Sequence, residues 1–73
     1  MSVARNFEVS STSTQSFEDA INKGIERITR SHHGIKGAWI KEQKVDITDG
    51  KITNYNVMMI ITAMLDDGQN VNQ

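Results

Sequence analysis

Cysteine and proline are both missing from this chain. Without cysteine there are no disulfides, no thiolate metal site and no thiol nucleophile. That matters in a protein of 73 residues. So short a chain buries a modest share of its surface and is marginal alone, and the usual supports are disulfides, a structural metal or self-association. Self-association is the expected support here. Charge of one sign is missing too: the formal net charge is −1, with acids and bases mixed along the chain. A nucleic-acid binder would carry a basic face, so none is expected as a partner. No apolar run approaches bilayer length, and Met1-Ser2-Val3 leads into a polar strand without a basic-then-apolar leader. The expectation is a cytoplasmic protein with no membrane partner. Internal repeats are absent. One small domain over 1–65 and a flexible tail over 66–73 are predicted, because the tail lacks apolar periodicity.

What is present is organised around Gly37 to Leu65, which reads as one long β-hairpin. Thr48-Asp49-Gly50-Lys51 is its turn: Asp-Gly readily takes a two-residue type I′ turn, in which both central residues need positive φ. In the absence of bulges this sets Thr48 opposite Lys51, Gln43 opposite Asn56 and Trp39 opposite Ile60. Side chains alternate between faces. Tyr55, Val57, Met59, Ile61, Ala63 and Leu65 therefore form one apolar face. Ile52, Asn54, Asn56, Met58, Ile60, Thr62 and Met64 form the other, polar at its start and apolar at its end. The first arm changes parity between Ala38/Ile40 and Val45/Ile47, and a bulge near Glu42 to Lys44 would reconcile the halves.

Upstream, Val3, Arg5, Phe7 and Val9 alternate with polar residues as a first strand. The hydroxyl run Ser10-Ser11-Thr12-Ser13-Thr14-Gln15 is expected to break it, because such side chains compete for backbone hydrogen bonds. Ser16 then opens a helix, with Asp19 completing an approximate capping box. Phe17, Ala20, Ile21, Gly24, Ile25 and Ile28 form one apolar stripe. Asp19/Lys23 and Glu26/Arg30 are acid-before-base pairs four apart, each worth a few tenths of a kcal/mol. Gly24 costs about 1 kcal/mol of helix propensity, which a close approach between helix and sheet would justify. Ser31-His32-His33-Gly34 ends the helix, with Gly34 at the C′ position.

The predicted class is α+β: a β-α-β-β protomer whose three-stranded, antiparallel-type sheet, in order 1-3-2, wraps one helix. Strands one and two are parallel, with the third between them and antiparallel to both. The helix covers the Tyr55/Val57/Met59/Ile61 face. The Trp39/Met58/Ile60/Met64 face is left bare, and a contiguous patch of that kind marks an interface or a ligand site.

Little in the sequence points to catalysis. No elbow or helix presents an activated serine. His32 and His33 are adjacent, point about 100° apart on a helix, and suit a cationic cap on the helix dipole. Glu42, Asp46 and Asp49 could ligate a hard cation but follow no recognised loop pattern, and read as a solvated strand edge and turn. Gln43, Asn56 and Trp39 share the face of Met58 and Ile60 in the bulge-free register. A large aromatic for stacking beside two amides suits a flat heterocycle with imide edges. Tryptophan is equally at home as an interface anchor, so both readings stand.

These residues resemble a family. The stretch Thr12-Ser13-Thr14-Gln15-Ser16-Phe17-Glu18-Asp19-Ala20, the run Trp39-Ile40-Lys41-Glu42-Gln43 and the long hairpin are similar to the dodecins, from about Val3 to Leu65. The resemblance implies a hollow particle of twelve copies. It also implies non-enzymatic storage, sequestration or photoprotective quenching of a flavin (riboflavin, lumichrome or FMN) stacked between tryptophans of symmetry-related subunits. Some members bind coenzyme A. Carried over, Trp39 is the stacking residue and Asn56 stands at the place of a glutamine that bonds the ring edge. Gln43 and Met58 are its neighbours. A gapless alignment from the helix puts the family's tryptophan on Gly37, which shares a strand face with Trp39. A branch without the flavin tryptophan, reported as metal-binding, also resembles the Glu42-Gln43 and Gly50-Lys51-Ile52-Thr53 regions. The alternative implied is a structural cage without flavin.

Overall fold

The structure, a computed structural model, describes residues 3–65. The tail expected over 66–73 lies outside the described residues. The chain runs β1 (Ala4–Ser13), α1 (Phe17–Ser31), β2 (Ile35–Thr48) and β3 (Lys51–Met64). β3 lies between β1 and β2 and is antiparallel to both, in the order β1-β3-β2. The β-α-β-β topology is the one its sequence pattern predicts.

The hydroxyl run does not break β1. The strand continues to Ser13, paired residue for residue with β3 down to Tyr55. Two of its hydroxyls find partners that leave the ladder intact. Thr12 Oγ1 donates to Asn56 Oδ1 at 2.7 Å across the strands, and Ser13 Oγ donates to Asp19 Oδ2 at 2.6 Å. Local competition with the backbone loses once β3 supplies an edge and α1 an acceptor.

α1 starts where its cap requires. Ser16 is the N-cap, and its hydroxyl accepts from Asp19 N at 2.9 Å. Asp19 is shorter than the usual glutamate. Its carboxylate instead takes the Ser13 hydroxyl and Lys23 Nζ, the latter at 3.2 Å. The Ser13 oxygen accepts from Ser16 N at 3.4 Å, filling the other half of the cap. The hydrogen bond from Ser13, reinforced by Lys23, holds the Asp19 carboxyl below the ordinary carboxylate value. The Glu26–Arg30 pair does not form among the described residues. At the far end the C-cap is His32, so Gly34 falls one residue beyond the C′ position expected of it. Its φ of +75° and the 2.6 Å that would separate an added Cβ from Met64 O both require glycine there.

The core lies between α1 and the inner face of β1 and β3. Ala20, Val57, Met59, Ile61 and Ala63 are buried. Gly24 is the close approach: a Cβ there would stand 2.7 Å from Met59 Cε and 3.1 Å from Ser11 Cβ. Phe17 meets Tyr55 edge-on at 5.2 Å between centroids, and Phe7 packs on His32 at 4.9 Å. Leu65, assigned by parity to this face, lies past the end of β3 and is 60% exposed. α1 packs chiefly on β1 and β3, so it leaves β2 largely uncovered.

Candidate functional site

The candidate site is the outer face of the sheet, opposite α1, and its layout follows from three bulges: one between Ile35 and Gly37, where Lys36 is extra on β2, and two nearer the turn that compensate one another. Asp49 and Gly50 take φ of +53° and +76°, the paired positive values of the predicted turn, and Thr48 stands opposite Lys51. Between Asp46 and Ile47 the register shifts because Thr53 is extra on β3. Thr53 Oγ1 donates to Asp46 O at 3.2 Å at this bulge. Between Ile40 and Glu42 it shifts back because Lys41 is extra on β2. The second bulge falls just before the Glu42–Lys44 stretch where the change of parity placed it.

The two bulges separate residues that the simpler register brought together. Trp39 lies opposite Ile60, as expected. Between the bulges, however, Gln43 lies opposite Val57, and Lys44, not Gln43, lies opposite Asn56. Partners in an antiparallel pair share a face, so Gln43 belongs to the α1 side of the sheet, away from Trp39. The amide pair proposed from sequence is therefore not formed in one protomer. Gly37, opposite Thr62, does share the outer face with Trp39, and so do Met58 and Asn56.

Across the outer face the strands line up in rows: Gly37–Thr62–Asn6, then Trp39–Ile60–Glu8, Glu42–Met58–Ser10 and Lys44–Asn56–Thr12. Trp39 is 71% exposed, above the half-buried Ile60. The Lys41 side chain, freed by its bulge, crosses to Glu8 and pairs at 2.8 Å. The hydrogen bond that Lys41 donates to Glu8 raises the Lys41 ammonium above its ordinary value. Farther along, a groove of about 320 Å³ is lined by Ser10, Thr12, Glu42, Lys44, Asn56 and Met58. Asn56 lies four residues along β3 from Ile60, about 14 Å at the usual strand rise. Asn56 and Met58 thus line a groove at one end of the face, while Trp39 and Gly37 stand at the other.

The Glu8–Lys41 pair and the two Thr–Asn hydrogen bonds, Thr12 to Asn56 and Thr62 to Asn6, escaped the sequence reading. All three join β1 to the hairpin. Their signal was the register of β1 on β3, which becomes readable only once Ser10 to Ser13 are counted as strand. Among the described residues, no three His, Cys, Asp or Glu side chains gather to hold a metal ion. No helix among the described residues is long and apolar enough to cross a membrane.

A protomer of this kind, with one helix on the inner face of a long hairpin sheet and an outer face left for other company, defines a class of small α+β protein. A sequence-family model of the dodecins matches residues 3–66, nearly the whole chain, and the protein belongs to the dodecin family. Solved structures agree. Dodecin from Streptomyces davaonensis superposes with a TM-score of 0.83 at 26% identity, covering 90% of this chain and 97% of that one. A single-site mutant of the Thermus thermophilus dodecin gives 0.85 at 21% identity, covering 92% and 100%. The calcium dodecin of Mycobacterium tuberculosis, described as a calcium-chelating immunodominant antigen, gives 0.75 at 25% identity, covering 93% and 97%. No curated protein sequence matches the chain.

Proposed function

We propose that this dodecin acts without turnover, as a homo-oligomer of twelve copies that stores or sequesters a flavin on the outer face of its sheet. The observation that carries the reading is Trp39: the chain's one tryptophan, 71% exposed, on an apolar face that its own helix does not cover. The residues present fit a flavin. Trp39 offers a flat π-surface for the isoalloxazine, and Ile60 supplies an apolar floor beside it, with Met58 in the next row. Bound, the flavin would contribute its planar, light-absorbing ring system. Holding it is the work of the chain's own residues.

One tryptophan per chain can sandwich a ring only if a second copy faces it across a twofold axis, so binding requires assembly and adds stability to it. Asn56 meets such a ring from a neighbouring copy. Its Oδ1 already accepts from Thr12, which turns Nδ2 outward as a donor. Gln43, on the α1 side, has no place in the site of its own protomer. FMN, riboflavin and lumichrome share the ring and are all candidates. Coenzyme A is a further candidate by family alone. The test is a titration of riboflavin and FMN followed by flavin fluorescence, with native mass recorded on the same sample. Wild type quenches the flavin at a mass near twelve chains, and Trp39→Ala loses the quenching at unchanged mass. Identical titrations for the two proteins would overturn the flavin reading.

A second reading is a cage without flavin, braced by metal, in which Trp39 only packs. The likeness to the Mycobacterium tuberculosis calcium dodecin favours it. An ion would then be held between copies, and chelation would lower the native mass or the melting temperature.

A further inference from the structure

The two flanks of Trp39 are not alike. Toward the hairpin turn stands Lys41, which reaches across to Glu8, in the row of Trp39 itself, at 2.8 Å, and each satisfies the other. On the opposite side the sheet is open: a Cβ built on Gly37 would meet nothing within 4 Å. Gly37 heads a row that continues through Thr62 to Asn6. Thr62 Oγ1 donates to Asn6 Oδ1 at 3.0 Å, which fixes both side chains. The arrangement leaves the Thr62 oxygen as an acceptor and the Asn6 Nδ2 as a donor, side by side on the open flank.

We infer that the open flank at Gly37 is the slot for the polar edge of the ring stacked on Trp39, with Thr62 and Asn6 as the residues that recognise that edge. An imide presents a carbonyl acceptor beside an N–H donor. Asn6 Nδ2 donates to the carbonyl and the Thr62 oxygen accepts the N–H. At ordinary strand rise and spacing Thr62 lies about 8 Å from Trp39 and Asn6 about 12 Å, a span that a three-ring plane lying along the row can cover. The Lys41–Glu8 flank cannot serve in the same way without first breaking an ion pair. The ligand class is therefore a flat heterocycle with an unsubstituted imide, and Gly37 is a specificity position because any side chain there occupies the slot. This inference rests on the flavin reading and adds to it the orientation of the ring and the residues that set it.

The test compares riboflavin with its N3-methylated analogue on wild type and on Thr62→Val, Asn6→Ala, Gly37→Leu and, as a control at the hairpin turn, Lys51→Ala. Native mass is recorded for each. Thr62→Val and Asn6→Ala weaken riboflavin binding by about five- to tenfold, the loss of one net hydrogen bond. Quenching at saturation is unchanged, because the stack on Trp39 survives. The methylated analogue binds wild type more weakly and does not distinguish wild type from Thr62→Val. Gly37→Leu abolishes binding of both ligands at unchanged mass, and Lys51→Ala titrates like wild type. If wild type binds riboflavin but Thr62→Val and Asn6→Ala titrate identically to it, the slot assignment falls and the flavin reading stands. If Gly37→Leu dissolves the assembly while leaving ring binding in the remaining oligomer intact, the slot houses a neighbouring copy and the assignment also falls. If wild type quenches neither flavin, both readings fall together.

Discussion

The two faces of β3 are built from similar residues and meet different fates. On the inner face Val57, Met59, Ile61 and Ala63 are at most 4% exposed, pressed under α1. On the outer face Met58, Ile60 and Met64 are only half-buried, and Trp39 beside them stands in the open. α1 covers one face of the sheet and leaves the second set without cover. The inner face is fold, and the outer face is where the proposed ligand and further copies would sit.

The largest expected effect tests that division directly. Ile61→Ala removes a fully buried side chain, and by core-truncation precedent it costs about 2–5 kcal/mol. Ile60→Ala, one residue away on the other face, costs a separated protomer under about 1 kcal/mol, within the range of surface and partly exposed substitutions. Its effect appears instead in assembly, as a concentration-dependent melting temperature and a lower native mass. Thermal melts of both variants over a range of concentrations check the contrast. Equal losses, independent of concentration, would break the distinction between the faces.

A second contrast lies within the inner face, between a helix that tolerates a side chain and one position that does not. Gly24→Val puts branches where even a Cβ would stand 3.1 Å from Ser11 Cβ. Met59 Cε can move aside, but Ser11 is held by the β1–β3 ladder opposite Val57. Overpacking of this kind costs about 1–3 kcal/mol. Denaturant unfolding measures it, and a melt unchanged from wild type would show that helix and sheet have room to part.

How much of this was legible beforehand differs by element. The turn at Asp49-Gly50, the cap at Ser16 and the apolar parity of β3 are local signals, and each leads directly to the observed geometry. Gly24 was also readable, because a glycine inside an apolar stripe has few reasons to be there. The extent of β1 was not, since Ser10 to Ser13 are held in the strand by partners far along the chain, from Met58 to Tyr55. The site suffered most. A single unforeseen extra residue, Thr53, displaced Gln43 to the other face, while Trp39 kept its partner only because Lys41 shifts the register back. Bulges cancel in pairs for the residues beyond them and flip the residues between them, so candidate residues near a turn are the least secure part of any hairpin register.

The smallest expected effect concerns the junction between the two regions, where β1 hands over to α1 under the Asp19 carboxylate. Its folded-state value is depressed below the ordinary 3.8 by the Ser13 hydrogen bond and then by Lys23. A depressed carboxyl contributes stability that is present above the unfolded value and is lost as pH falls through the folded one. The loss is therefore confined to pH below 3.8. Asp19→Asn removes this dependence, so its melting temperature, lower than wild type at neutral pH, converges on the wild-type value as acid is added. Lys41 gives the mirror case on the outer face. Its raised value means that the contribution of the Glu8 pair is present below the ordinary 10.5 and is lost only as pH rises through the folded value above it. Lys41 is exposed and Asp19 partly so, and solvent screens such pairs, so each change is small. A melt that varies with acid equally in wild type and Asp19→Asn would show that the handover between strand and helix does not depend on this carboxylate, and that the Ser16 cap alone fixes where the helix begins.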